Sequence, residues 1–383
     1  MKCIRCGQVF DANPWVFTCN KCNSLLDVII PSDAVLDWEI ARRRRFGVWR
    51  YIELLPLNKD VKPITMNEGG TPLINLQRVG DSHNLYLKFE GANPTGSFKD
   101  RGMTVGVTIA KYIGVKGVLV ASTGNTAASA AAYAARAGLK CVVILPRGNV
   151  AKGKMLQVIL HGAEIREIDG VFDNALEEAI TEVFAKGNRD LYPLNSYNPW
   201  RLEGQKTISF EIIDELGEAP DFVIVPVGNA GNISAIWKGF KELYERGLAD
   251  KLPKMIGVQA EGAAPLVKTW RSSDEQLIEV DKPNTIATAI KIGRPINWLK
   301  ALRAVKESNG LFVSTSDHEI AKALVELAKY EGIGVEPASA ATLAGYLRLR
   351  EEGVIDKKDL VVLIATGHVL KDPDVLNVIN QFL

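Results

Sequence analysis

The sequence predicts an α/β protein of two lobes built on mostly parallel sheets, with a small cysteine-bearing head at its amino end. Three observations lead there. Short apolar runs rich in β-branched residues alternate with longer alanine-rich or charge-bearing helical stretches along most of the chain. At 383 residues and 47% hydrophobic content, the chain exceeds a single small core and can fill two. Four of the five cysteines, Cys3, Cys6, Cys19 and Cys22, crowd into the first 22 residues, while Cys141 sits alone in an apolar run.

The head comes first. It reads Cys-x2-Cys, twelve residues, Cys-x2-Cys, and each pair is followed by Gly7 or Asn23, residues that tolerate the left-handed turn a metal knuckle needs. Such crowding points to metal rather than disulfides, although twelve intervening residues are slightly fewer than the commonest spacing. Four thiolates from Cys3, Cys6, Cys19 and Cys22 can close a tetrahedral structural zinc site with no open position for catalysis. The head is expected to end near Pro31-Ser32, giving a zinc-ribbon-like segment at 1–32 and a catalytic body at 33–383. Just beyond it, Arg42-Arg43-Arg44-Arg45 beside Trp38 reads as a solvated helix face.

In the body, strands are expected at 85–89, 118–121, 141–145, 164–168, 222–227, 255–259 and 360–364. Helices are expected at 126–136, 152–161, 174–186, 233–246, 318–329 and 338–351. Alternation of this kind implies parallel sheets covered on both faces. No fixed-period repeat or low-complexity linker divides the body. Chemistry in such sheets lies on the loops beyond the carboxyl ends of the strands.

Bulk charge excludes some functions. Lys plus Arg number 46 against 45 for Asp plus Glu, so a net charge of +1 provides no general pull toward nucleic acid or anionic membrane. No apolar stretch approaches the ~20 residues that span a bilayer, and no signal-peptide pattern opens the chain. A soluble cytoplasmic protein is expected. The four histidines, His83, His161, His318 and His368, are dispersed without metal-ligand spacing or a serine partner, which argues against triad hydrolysis.

Three loops carry the chemistry. In Asn93-Pro94-Thr95-Gly96-Ser97-Phe98-Lys99-Asp100-Arg101-Gly102, a Pro/Gly turn presents Lys99 at a helix start. The helix dipole there disfavours an ammonium and favours the neutral, nucleophilic amine, although pairing of a surface Lys99 with Asp100 explains the segment equally well by itself. The loop Ala121-Ser122-Thr123-Gly124-Asn125-Thr126 offers hydroxyls, an amide and backbone N–H groups as a nest for a carboxylate. The loop Val227-Gly228-Asn229-Ala230-Gly231-Asn232 follows an apolar strand and opens a helix, which suits one compact phosphate. It lacks both the Walker and the dinucleotide spacing.

Together with Ala365-Thr366-Gly367-His368, these runs resemble the threonine synthase family in order and spacing, over essentially residues 60–375. The resemblance implies the tryptophan synthase β-like fold, in which pyridoxal 5'-phosphate serves a large lobe and a smaller mobile one, here about 105–195. It implies Lys99 as the Schiff-base lysine flanked by Phe98, and Asn125 as the partner of the cofactor's ring hydroxyl. Gly228, Asn229, Ala230, Gly231 and Asn232 match the cofactor-phosphate loop, and Thr366 matches the hydroxyl residue beside the pyridine nitrogen, where a hydroxyl leaves that nitrogen largely unprotonated.

On the substrate side, Ser122, Thr123, Asn125 and Thr126 match the carboxylate loop. In Leu194-Asn195-Ser196-Tyr197-Asn198-Pro199-Trp200-Arg201, the residues Asn195, Ser196 and Arg201 match the substrate-phosphate site, for which an arginine fork is apt. Two residues depart from the family pattern: Ala127 replaces a frequent serine, and Val369 stands where glycine often follows His368.

The activity implied is conversion of O-phospho-L-homoserine and water to L-threonine and phosphate, by γ-elimination and β-addition of water, in a cytoplasmic homodimer. Alternatives on the same fold are a threonine/serine dehydratase, which needs no phosphate site at Asn195, Ser196 and Arg201, and a phosphoserine enzyme such as cysteate synthase. A zinc-ribbon binding module fused to a pseudoenzyme is opposed by the intact Lys99 and the near-zero net charge.

Overall fold

The computed structural model describes residues 1–58, 60–81, 83–147, 152–170, 172–272 and 276–379. Its strands are β1 (Lys2–Cys3), β2 (Leu26–Asp27), β3 (Leu73–Asn75), β4 (Leu85–Phe89), β5 (Gly117–Ala121), β6 (Lys140–Pro146), β7 (Glu164–Ile168), β8 (Leu191–Pro193), β9 (Phe222–Pro226), β10 (Lys254–Ala260), β11 (Leu311–Thr315) and β12 (Val361–Ala365). Every strand expected in the body forms, with its ends within a residue of the expected ones. The expected helix over 174–186 runs instead as Phe172–Ile180 and finishes in a wider π turn, Thr181–Ala185.

The chain divides into two compact units. The first joins Met1–Gly70 to Asn93–Thr207, and the second joins Thr71–Ala92 to Ile208–Leu383.

In the first unit, β7-β6-β5-β8 form a parallel sheet and β1 pairs antiparallel with β2. Val118, Leu119 and Val120 of β5 are wholly buried, as a central parallel strand covered on both faces requires. The chain runs outward from β5 through β6 to β7 and then returns to β8 on the other side of β5. That reversal places the loops after β5 and β8 side by side at one edge, the position where such sheets bind ligands.

The helix Lys99–Tyr112 packs against Pro199–Gln205 in this unit, and glycines set how closely. A Cβ on Gly204 would stand 1.8 Å from the Arg101 carbonyl oxygen. One on Gly106 would lie 2.7 Å from Leu194 Cδ2, and one on Gly102 3.0 Å from the Arg201 carbonyl oxygen. Gly102 and Gly106 lie one turn apart on one helix face, so they form a trough for the second helix. Each helical glycine costs about 1 kcal/mol in propensity, and the close packing offsets it.

In the second unit the order is β11-β10-β9-β12-β4-β3, parallel except for β3 against β4. The direction of winding reverses between β9 and β12, which are paired with Val361 opposite Phe222. The loops after these two strands, 227–232 and 366–368, therefore leave the sheet at the same edge. Buried Lys88 of β4 is held by Glu211 at 3.0 Å, Glu215 at 2.6 Å and the Thr71 carbonyl at 2.7 Å. A buried charge is tolerated only with such pairing. Among the described residues no helix is long and apolar enough to cross a membrane.

Gly204→Ala is expected to cost on the order of 3 kcal/mol, because the added methyl would meet backbone rather than a movable side chain. Urea denaturation of the variant beside the native protein measures this, and an unchanged midpoint would show that the crossing can relax.

Candidate active site

Lys99 is the first residue of the Lys99–Tyr112 helix and is half-buried, with its Nζ 4.0 Å from the centroid of the Phe98 ring. Pairing with Asp100 is not what the structure shows. The Asp100 carboxylate is fully buried and accepts from Thr95 N at 2.7 Å, Thr95 Oγ1 at 2.6 Å and the Ser129 hydroxyl. Asp100 thus pins the turn that carries Lys99 to the alanine-rich helix Asn125–Ala137.

A second buried acid meets the same alanine-rich helix, at Tyr133. Glu68 accepts from Trp49 Nε1 at 3.1 Å, Thr65 Oγ1 at 2.9 Å, Met66 N at 2.9 Å and Tyr133 Oη at 2.7 Å. Burial pushes the Asp100 carboxyl up to about 6 against the hydrogen bonds of Ser129 and Thr95, and the Glu68 charge adds to the rise. Burial and these two carboxylates also raise the Tyr133 hydroxyl far above its ordinary value, so it stays a donor. Sequence reasoning missed Glu68 and this role of Asp100. The signal was an acidic residue directly before Gly69-Gly70.

The loop after β5 contributes Ser122, Thr123, Gly124, Asn125 and Thr126, all half-buried. Ser122 Oγ accepts from Gly124 N at 3.2 Å, and the helix begins at Asn125 with no side-chain cap on Gly124 among the described residues. Its first N–H groups therefore suit an anion. Ala127 just behind is fully buried, so the serine frequent in the family is replaced by a packing residue here.

The loop after β8 lies beside it. Asn195 spends its side chain on the backbone of the β5 terminus, accepting from Ala121 N at 2.9 Å and donating to Ala121 O at 2.8 Å. It joins the two loops, and its amide is committed to that task. Asn198 caps the Pro199–Gln205 helix by accepting from Trp200 N and Arg201 N, and it anchors to Pro193 O at 2.8 Å. Ser196 is half-buried between them.

Arg201, projecting from that helix, is 1% exposed. Its Nε and Nη2 are buried without a hydrogen-bond partner among the described residues, and burial lowers the guanidinium to about 10. A buried, unpaired guanidinium is costly unless an anion completes it.

In the second unit, Ala230 sits in the left-handed region at φ 64°, a strain of about 1 kcal/mol for a residue with a Cβ. The helix Gly231–Glu245 then starts without a side-chain cap among the described residues. A Cβ on Gly228 would press on Ala289 O at 3.1 Å and Ile290 Cα at 3.2 Å, while the Asn229 carbonyl accepts from Asn297 N at 3.1 Å. Both side-chain polar atoms of Asn232 are buried without a partner among the described residues. Among the described residues the loop thus combines a helix start with no side-chain cap, an orphaned amide and a tight backbone, and it fits a phosphate group.

At the adjoining strand end, Thr366 is 4% exposed and donates to Glu336 Oε1 at 3.2 Å, with Ser339 Oγ 3.1 Å away. Gly367 N donates to Ser339 Oγ at 3.0 Å, and a Cβ on Gly367 would lie 2.6 Å from the Glu336 carboxylate. Glu336 and Ser339 were not singled out from the sequence. Pro337 directly after Glu336 was the available helix-start signal. Val369 packs on Gly334, where a Cβ would meet Val369 Cγ1 at 2.8 Å.

In the head, the ligand atoms of Cys3, Cys6, Cys19 and Cys22 lie within 4.8 Å of one another. The two knuckles match: Gly7 N donates to Cys3 O at 3.1 Å and Asn23 N to Cys19 O at 2.9 Å, and both Gly7 and Asn23 are left-handed, at φ 74° and 53°. Arg5 N and Lys21 N point at Cys3 Sγ and Cys19 Sγ, each at 3.4 Å. Although burial works to raise it, the backbone N–H groups of Cys6 and Arg5 bring the Cys3 thiol down to about 6.

The family model described as pyridoxal-phosphate dependent enzyme matches residues 64–367. A threonine synthase of Methanocaldococcus jannaschii is 52% identical over 380 residues, which span 97% of this chain and 93% of that protein. One of Methanosarcina acetivorans is 50% identical over 378 residues, spanning 97% and 92%. Among solved structures, maize serine racemase superposes with a TM-score of 0.67 at 21% identity, covering 81% of this chain and 92% of that one, which is a likeness of fold.

The raised Asp100 carboxyl has a measurable signature. Between about pH 4 and 6 the folded chain holds a proton that the unfolded chain has lost, so stability falls as pH rises through that window, by about 3 kcal/mol. Urea midpoints of Asp100→Asn across pH 4 to 7 are expected to lack this fall, and a slope equal to that of the native protein would assign the titration elsewhere.

Proposed function

The chain belongs to the threonine synthase family of pyridoxal-phosphate-dependent enzymes, and we propose that it carries out that conversion, O-phospho-L-homoserine and water to L-threonine and phosphate, with Lys99 as its catalytic residue. The observation that carries the substrate reading is Arg201, a buried guanidinium with two nitrogens that have no partner among the described residues, beside the loop that would take the carboxylate. A substrate bearing both a carboxylate and a phosphate satisfies both loops. A dehydratase acting on an unphosphorylated amino acid would leave Arg201 uncompensated.

Lys99 would hold the cofactor through its aldehyde carbon, with Phe98 alongside and Asn125 at the ring hydroxyl. Gly228, Asn229, Ala230, Gly231 and Asn232 would take its phosphate, and Thr366 would face the ring nitrogen. When bound, the cofactor supplies an electron sink for the bond-making at the substrate carbons.

Lys99 Nζ would act as general base at Cα and, after giving that proton up, would take one from Cβ. Ser122, Thr123, Asn125, Thr126 and the N–H groups at that helix start hold the carboxylate. Arg201 and Ser196 hold the γ-phosphate and stabilise the charge that grows on the leaving oxygen. Asn195 serves by fixing the Ala121 peptide, so that the carboxylate and phosphate ends stay in register. Water adds its oxygen at Cβ and gives a proton to the released phosphate, while Lys99 returns protons to Cγ and Cα.

The four head thiols would hold a structural zinc, and with all four ligands supplied by the protein it would take no part in the reaction. The family resemblance supports a cytoplasmic homodimer.

Lys99→Ala is expected to lose threonine formation by more than about 10⁴-fold and to lose the visible absorbance of bound cofactor, with an unchanged far-UV circular dichroism spectrum. Threonine formation at the native rate would sink the assignment. Arg201→Lys is expected to raise KM for O-phospho-L-homoserine on the order of 10- to 100-fold, because a point charge cannot reproduce the paired fork. Threonine and phosphate release followed in one sample measures it, and a KM within twofold of native would remove Arg201 from the phosphate site.

A further inference from the structure

The residues between the two cysteine pairs of the head pack on the segment that carries the anion pocket. Trp15 meets Tyr192 edge to face at 5.3 Å, and the Arg189 guanidinium lies 4.6 Å over the Trp15 ring. Phe17, 3% exposed, touches three aromatic rings: Phe184 at 5.5 Å, Tyr197 at 5.8 Å and Tyr192 at 5.9 Å. Tyr192 Oη donates to Pro14 O at 3.0 Å, and β2 of the head packs against the Pro199–Gln205 helix.

The ring at Tyr197 stands between Ser196 and Asn198, the residue that caps the helix bearing Arg201. The ring at Tyr192 lies in β8, directly before the loop whose Asn195 clamps Ala121. Phe17 itself is held from both sides by the metal-knuckle fold. Its carbonyl accepts from Leu26 N at 3.0 Å, and Cys19 follows it by two residues.

We propose that the head is a buttress for the anion pocket, with Phe17 a positioning residue that sets the affinity of Ser196 and Arg201 for a phosphate group. This inference rests on the reading of 195–201 as the phosphate site. Knuckles of this size owe their fold to the metal, because four cross-linking bonds replace a core too small to hold alone. Metal loading therefore holds Phe17 against Tyr192 and Tyr197, and through them the turn from β8 to the Arg201 helix. Anion recognition by a fork tolerates displacements of only about 0.5 Å, so a loosened wall weakens phosphate binding before it disturbs anything around Lys99.

The test uses the cofactor-loaded enzyme with its zinc quantified, comparing native protein, Phe17→Ala and Phe17→Leu. Inorganic phosphate binding is measured by titration calorimetry, KM and kcat with O-phospho-L-homoserine, and bound cofactor by its visible absorbance. Phe17→Ala is expected to weaken phosphate binding and raise KM about tenfold with kcat within about twofold and cofactor absorbance unchanged, and Phe17→Leu is expected to recover most of the loss. Removal of zinc from the native enzyme by chelation is expected to weaken phosphate binding likewise and reversibly.

Phosphate affinity within twofold of native in both Phe17→Ala and the zinc-free enzyme would overturn the proposal. So would a parallel loss of cofactor absorbance, which would make the head a general support of the unit. If the native enzyme forms no threonine, the functional reading fails separately, and the calorimetric comparison still decides whether the head tunes phosphate binding.

Discussion

The site in the first unit depends on one steric constraint, the approach of the Pro199–Gln205 helix onto the Lys99–Tyr112 helix with Gly204 against the Arg101 carbonyl. With no side chain at Gly102, Gly106 or Gly204, the second helix comes close enough for Arg201 to lie along the helix that Lys99 begins. The amine and the guanidinium are thus set by backbone contact rather than by long flexible side chains. Burial of Arg201 follows from the same closeness, and burial is what makes its unpaired nitrogens demand an anion.

Both units use one topological device. Each sheet winds outward from a strand and then resumes on that strand's other side, at β5 and β8 in the first unit and at β9 and β12 in the second. The loops that meet at these reversals are the polar and glycine-rich ones. In the first unit Asn195 ties the two loops together through Ala121, and in the second Glu336 and Ser339 fix Thr366 and Gly367. Polar side chains facing a functional loop from behind thus do the positioning, and the loop keeps its outward donors.

Much of this was legible in the sequence because the signals are local. Strands of continuous β-branched residues such as Phe222–Pro226 announce themselves, and so do the loops that follow them and the paired cysteine knuckles with Gly7 and Asn23. Less legible were short elements made by tertiary pairing, such as β8, three residues ending in proline, and β3, which depends on β4 for its partner. The supporting acids were hidden for a related reason. Glu68, Asp100 and Glu336 look like surface residues until the fold buries them, and the residues that satisfy Glu68 range from Trp49 to Tyr133 along the chain. Asn195 matched a substrate position by resemblance, and only coordinates could reveal that its amide is bound to Ala121.

The position of β12 bears on how the chain is made. This strand lies far along the chain from β4 and β9, yet it fills the centre of their sheet between them. Until it arrives, β4 and β9 each present an open hydrogen-bonding edge, and Lys88 waits in a strand whose neighbour is missing. Non-local pairing of this kind is slow, so those edges stay open until Val361–Ala365 is in place. A chain cut short before Val361 would lose the keystone that joins β9 to β4 as well as Thr366, so truncated products would be expected to be removed or to aggregate rather than persist as inactive enzyme.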